Sequence, residues 1–252
     1  MSKTIFITGA TSGFGKACAA IFAQHRHNLI LTGRRQDRLE EIAETLEQQY
    51  GIDVYTLVFD VQDKDACFEA VASLPEEWRS VNVLINNAGL ALGRDLFDEG
   101  SVEDWDTMID TNIKGLLYMS KAVLPLLKQS GDGHIINLGS VAGKEVYERG
   151  NVYCATKFAV DALSRSMRID LLPHRIKVTS IEPGAATTEF SNVRFKGDDE
   201  KANGIYNGFT PLSAEDVAEV IYYTTTLPKH VCINDLNITC VAQANGIYTF
   251  KG

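Results

Sequence analysis

The sequence contains no apolar run near the ~20 residues that a membrane-spanning helix needs. Residues 1–9 hold an apolar stretch of only a few residues, too short for the core of a signal peptide. Five cysteines, an odd number without CxxC spacing, point to buried thiols in a reducing compartment rather than a disulfide framework. Five histidines include no HxxxH pair, so no metal site is expected. Basic charge is scarce: 24 Lys and Arg against 33 Asp and Glu give a net charge of −9. That is not the electrostatic footprint of a duplex-binding protein. The expectation is a cytoplasmic protein that binds neither nucleic acid nor membrane.

What is present is an average globular mixture, 45% hydrophobic and 23% charged over 252 residues. It excludes disorder and a disulfide-stapled miniature. Apolar, β-branched runs at 5–8, 28–32, 54–59, 83–86, 135–138, 178–181 and 236–241 predict seven strands. Between them, helical patterns occupy 17–22, 102–127, 152–172 and 214–226. A further helix shows Leu39, Ile42, Ala43 and Leu46 at i, i+3, i+4, i+7 spacing, with Glu40, Glu41, Glu44 and Glu47 on its solvated face. Continuously apolar strands alternating with helices imply a parallel sheet covered on both faces, a doubly wound α/β fold in one domain over 1–252. Such folds bind ligands at the carboxyl ends of their strands. Residues 192–211 break the rhythm with a polar stretch of Gly, Lys and Asp, read as a functional lid or a disordered loop.

The residues after each strand carry the chemistry. After the first come Gly9, Thr11, Ser12, Gly13, Phe14 and Gly15. Glycines there permit a tight turn and close approach of backbone to a pyrophosphate at a helix N-terminus. After the second come Arg34 and Arg35, with no acid in 29–36. A carboxylate at this point would take the ribose 2′-hydroxyl of NAD, whereas arginine suits the 2′-phosphate of NADP. After the third come Asp60 and Val61; the acid would cap the next helix, accept from an adenine amino group, or both. After the fourth, Asn86, Asn87, Ala88 and Gly89 form an ordinary turn or order the backbone beside a cofactor. After the fifth comes Ser140, and then Tyr153 and Lys157 at i, i+4 on one helix face. A neighbouring ammonium would lower the tyrosine pKa and make it a usable acid/base, while Ser140 would hydrogen-bond the oxygen that the tyrosine protonates.

These segments, with Pro183 and Gly184 after the sixth strand, closely resemble the short-chain dehydrogenase/reductase family along essentially the whole chain. The resemblance implies a Rossmann-type domain with a seven-stranded parallel sheet and adds Asn112 as a fourth catalytic residue, holding a water of the proton relay. It assigns Tyr153 the acid/base role, Lys157 the nicotinamide ribose, and Pro183, Gly184 and Thr188 to the cofactor. The pattern at 188–199, with 88–93 and 101–105, is similar to NADP-dependent 3-hydroxy acid dehydrogenases. These act on L-serine, L-allo-threonine, 3-hydroxyisobutyrate or 3-hydroxypropionate, or reduce the corresponding semialdehydes. The lid would then span about 188–211. A substrate carboxylate needs a cation: Arg194 is the first candidate and Arg149 the second. Family membership also implies a homo-oligomer, dimer or tetramer, packed through the helices at 102–127 and 151–172. A broader carbonyl reductase, a 3-oxoacyl carrier-protein reductase and a non-catalytic NADP sensor are the alternatives.

Overall fold

The computed structural model describes residues 2–252; Met1, the first residue of the expected domain, lies outside them. Seven parallel strands form one sheet in the order β3-β2-β1-β4-β5-β6-β7. They are β1 (Thr4–Ile7), β2 (Asn28–Gly33), β3 (Val54–Val58), β4 (Val83–Asn86), β5 (His134–Leu138), β6 (Lys177–Pro183) and β7 (Asp235–Ile238). Alternate side chains of one strand feed opposite faces of the sheet. Ile5, Ile7, Leu29, Leu31 and Ile85 pack on one face with Leu39, Ile42 and Leu46. Phe6, Ile30, Leu84 and Ile135 pack on the other with Met119, Val123 and Leu127.

The helices are α1 (Gly13–Gln24), α2 (Gln36–Tyr50), α3 (Lys64–Ala72), α4 (Val102–Ile109), α5 (Leu116–Ser130), α6 (Asn151–Asp170), α7 (Glu189–Arg194), α8 (Asp199–Gly204) and α9 (Ala214–Thr226). The four residues chosen by periodicity in α2 are its buried ones. Ser213 and Asp216 start α9 with a reciprocal capping box. Gly51 ends α2 in the left-handed conformation, at φ 62°.

Three expectations need correction. The helix expected over 102–127 is interrupted by a π-helical segment at Asp110–Gly115. Asn112, inside it, is drawn toward the loop after β4, and an extra residue in the turn re-aims the side chain. The expected loop at 192–211 begins inside α7 and contains α8. Asp60 does not cap α3: Asp63 does, accepting from the Ala66 N–H, while Asp60 accepts from the Gln62 N–H.

His134 is buried in β5, and its Nε2 lies 2.7 Å from Thr179 Oγ1. The Thr179 hydroxyl donates to the Ile233 carbonyl, so Oγ1 accepts and Nε2 carries the proton. Nδ1 has no partner among the described residues. Burial pushes the His134 pKa down to about 3 and that of His27 to about 4. Folded pKa values below the unfolded one confer stability that is complete above pH 6.5 and lost as pH falls toward 3. Urea unfolding at pH 7.5 and pH 5.5 should therefore show a loss on acidification. His134→Leu should reduce that loss by ~1 kcal/mol; an identical loss in the variant would exclude His134 as a contributor.

Candidate active site

All seven strands point their carboxyl ends at one side of the sheet, and a cleft of about 1300 Å³ opens there. Of the residues expected in the site, Gly9, Thr11, Ser12, Gly13, Phe14, Arg34, Arg35, Asp60, Val61, Asn87, Ser140, Tyr153, Lys157, Pro183, Gly184, Thr188 and Arg194 line it, as does Arg149. Gly15 and Asn112 lie behind its wall as buried supports.

The glycine-rich turn is dictated by sterics. Gly9 and Gly13 have φ of 64° and 50°, where only glycine is unstrained. A Cβ on Gly15 would collide with the Gly9 carbonyl and lie 2.5 Å from Asn87 Nδ2. Asn87 ties the turn together, donating from Nδ2 to the carbonyls of Thr8 and Gly9. Ser12 is the N-cap of α1, yet its side chain makes no cap bond, and the first turn holds no acid. The helix thus directs unpaired N–H groups into the cleft, and the buried Thr32 Oγ1 also lacks a partner there. This cradle fits the diphosphate of a dinucleotide.

At the end of β2 the two arginines are both engaged. Arg34 pairs with Asp60 at 3.2 Å. Arg35 donates to Thr11 Oγ1 through Nε and Nη2 and pairs with Glu189 at 3.0 Å, while Arg38 pairs with the other Glu189 oxygen at 2.8 Å. Neither Arg38 nor Glu189 was singled out from the sequence. Glu189 opens α7, next to its N-cap Thr188, so the first turn of α7 is fastened to the basic end of the cleft.

Ser140 is held from three directions at the other end. Its N–H donates to Glu182 Oε2 at 2.7 Å, and its hydroxyl contacts the Pro183 carbonyl and accepts from the Ala142 N–H. Tyr153 is buried beside it. Burial raises the Tyr153 pKa; the neighbouring Tyr147 adds to the rise, and Ser140 and Arg194 oppose it. The sequence had assigned the lowering to Lys157. In the structure Lys157 donates to the Leu138 carbonyl at 2.8 Å, its Nζ is 5.9 Å from the Tyr153 ring centre, and burial lowers its own pKa to about 8 against the charge of Glu182.

Asn112 makes three side-chain hydrogen bonds, accepting from the Leu90 N–H and donating to the Leu90 carbonyl and Thr156 Oγ1. It braces the loop after β4. Asn86, beside that loop, is a core residue that donates to Ser120 and Asn137. Arg194, at the end of α7, hangs over the tyrosine: its Cζ is 5.5 Å from the Tyr153 ring and its Nη1 donates to the Tyr147 hydroxyl at 3.1 Å. Tyr147 was not visible in the sequence because nothing local distinguishes it. Arg149 has a left-handed backbone, at φ 62°, and makes no ion pair among the described residues. Gln243, from the chain's last segment, occupies the space that a Cβ on Gly184 would need and accepts from the Ala185 N–H.

A family model described as short chain dehydrogenase matches residues 3–199. The NADP-dependent 3-hydroxy acid dehydrogenase YdfG of Escherichia coli (strain K12) is 49% identical over 241 residues, 95% of this chain and 96% of that protein. Sulfoacetaldehyde reductase 2 of Chromohalobacter salexigens is 49% identical over 245 residues, 97% of this chain and 96% of that protein. The closed form of serine dehydrogenase complexed with NADP+ superposes with a TM-score of 0.91 at 49% identity, over 96% of each chain.

The packing of Gly15 makes a direct prediction. Gly15→Ala should cost ~1–3 kcal/mol through overpacking and weaken dinucleotide binding. Chemical denaturation and fluorescence titration measure the two effects; a variant equal to wild type in both would remove the tight turn from the account of the site.

Proposed function

The chain belongs to the short-chain dehydrogenase/reductase family, and on that footing we propose that it reversibly oxidises 3-hydroxy acids to 3-oxo acids or semialdehydes with NADP. The observation that carries the reading is the Arg194 guanidinium 5.5 Å from the Tyr153 ring. A substrate whose hydroxyl meets Tyr153 and Ser140 would reach this cation with an anionic group a few bonds away. A guanidinium binds a carboxylate through two parallel hydrogen bonds. The 3-hydroxy acid and serine dehydrogenases among the similar proteins support the same substrate class.

When bound, NADP supplies hydride exchange at the substrate carbon. Gly9, Thr11, Ser12, Gly13, Phe14 and Gly15 would cradle its diphosphate, Arg34 and Arg35 its 2′-phosphate, and Asp60, Val61 and Asn87 its adenosine side. Lys157 would hold the nicotinamide ribose, with Pro183, Gly184 and Thr188 against the nicotinamide end. A 2′-phosphate at Arg35 would compete with Glu189, linking cofactor arrival to the start of the lid at 188–211. Ser140 Oγ would orient the substrate oxygen. Tyr153 Oη would donate a proton in reduction and accept one in oxidation. Asn112 would fix the loop that closes the cleft, with the relay water held beside its π-helical turn. Exposed Leu117, Phe158 and Ile169 on α5 and α6 support a homo-oligomer, dimer or tetramer, packed through those helices.

A raised Tyr153 pKa keeps the phenol protonated near neutrality. Oxidation, which needs the phenolate, should therefore speed up as pH rises. The deciding experiment follows reduced-cofactor absorbance with L-serine, L-allo-threonine, 3-hydroxyisobutyrate and 3-hydroxypropionate, each with NADP and NAD, and with sulfoacetaldehyde in reduction. Tyr153→Phe should lower kcat ~10²–10⁴-fold. Arg194→Ala should raise KM ~10-fold or more with kcat little changed, and Arg35→Ala should weaken NADP but not NAD. Turnover of neutral carbonyls alone, indifferent to Arg194, would overturn the 3-hydroxy acid assignment.

A further inference from the structure

Glu182 is fully buried at the end of β6, and the roles above leave it unused. Both of its oxygens accept: Oε2 from the Ser140 N–H at 2.7 Å and Oε1 from the Ser180 hydroxyl at 2.6 Å. A carboxyl that only accepts is a carboxylate. Gly139 lacks a side chain where one would strike this carboxylate. The residue before that glycine, Leu138, gives its carbonyl to Lys157. Residues 138–140 therefore hold Lys157 at one end and Glu182 at the other, with nothing between them but glycine.

The cation nearest Glu182 is a shared one. Lys144 lies 3.6 Å from it but 2.6 Å from Asp161 and 3.9 Å from Asp235. Those two acids are also paired with Arg165 and Arg168. The three carboxylates thus meet three cations, of which Lys144 alone comes within 4 Å of Glu182 among the described residues. Around Lys157, the titratable and charged groups are Tyr153 and Asp161 on its own helix, the latter paired with Lys144, then Glu182 on β6 with Lys144 behind it, and Arg194 over the Tyr153 ring.

Resting on the reductase reading above, we propose that Glu182 is a positioning residue of the catalytic centre: it fixes the Ser140 main chain and supplies the negative charge facing the Lys157 ammonium. Without that charge, burial alone governs Lys157, and the ammonium is lost at lower pH. Burial already brings the Lys157 pKa down to about 8 while Glu182 opposes the fall.

The test compares wild type, Glu182→Gln and Glu182→Asp. Glu182→Gln keeps the shape and one acceptor but removes the charge; Glu182→Asp keeps the charge and draws it back. The first readout needs no turnover: the Lys157 side-chain signal, titrated by NMR in ligand-free protein and assigned with Lys157→Arg. Its midpoint should fall by about one pH unit in Glu182→Gln and stay near wild type in Glu182→Asp. The second is the pH profile of aldehyde reduction, whose descending limb should move down with the Lys157 midpoint in Glu182→Gln only. In Glu182→Asp kcat should fall ~10-fold with KM for NADPH changed less than kcat, because the shortened side chain draws its acceptor away from the Ser140 N–H.

An unchanged midpoint in Glu182→Gln overturns the electrostatic half, and unchanged kcat in Glu182→Asp overturns the positioning half. A lower Tm with kcat and both pH readouts unchanged makes Glu182 merely structural and overturns the proposal. If Glu182→Gln does not fold, Glu182→Met, which fills a similar volume without the charge, takes its place, with the same downward shift expected and no shift counting against the proposal. If wild type reduces no aldehyde, the reductase reading fails by itself, and the ligand-free midpoint still decides the electrostatic claim.

Discussion

A parallel sheet buried on both faces must send every strand's carboxyl end to the same side, where the chain leaves the core and turns back along a helix. That constraint organises this protein. The glycine-rich turn after β1, the arginines after β2, Ser140 after β5 and Pro183 after β6 are distant in sequence, yet each is a strand exit. They share a cleft because the sheet gives them no other edge to occupy. The break in strand order between β1 and β4 parts neighbouring connections and leaves the opening into which α1 directs its N-terminus.

Function is then built from polar groups placed where polar groups are costly. Tyr153, Lys157 and Glu182 are all buried, and burial acts against the charged form of the tyrosine and the lysine. It moves tyrosine up and lysine down, which separates the two members of an otherwise plain Tyr–Lys pair. Hydrogen bonds to the Leu138 carbonyl and from the Ser140 N–H hold Lys157 and Glu182 in register. Rigidity at this end of the sheet comes from glycines 139 and 184, whose missing side chains are replaced by the carboxylate of Glu182 and the amide of Gln243.

The opposite wall is made of exposed charge and is correspondingly weaker. Glu189 bridges Arg35 and Arg38 across solvent-accessible surface, the kind of pair worth ~1 kcal/mol or less. Arg194, five residues on, has its main-chain carbonyl bound by the Gly93 N–H and its side chain laid over two tyrosines. One short helix therefore reports on both ends of the cleft.

The strands, the buried stripe of α2, the glycine-rich turn and the Tyr153–Lys157 spacing were legible in the sequence because each depends on residues within a turn or two of one another. Periodicity and steric demand are local, so the chain announces them. Other features depend on partners far away. The π-helical break at Asp110–Gly115 accompanies the pull of Leu90 on Asn112. The N-cap of α3 moved from Asp60 to Asp63 while Asp60 turned to Arg34, and the polar stretch after Thr188 formed two short helices over the cleft. Tyr147, Glu189, Gln243 and Glu182 became site residues only through contacts tens of residues or more distant. Sequence by itself determined which strand exits gather polar residues and glycines; tertiary structure decided which side chains meet in the cleft and how burial acts on their charge, because desolvation and long-range hydrogen bonds exist only once the chain has closed around them.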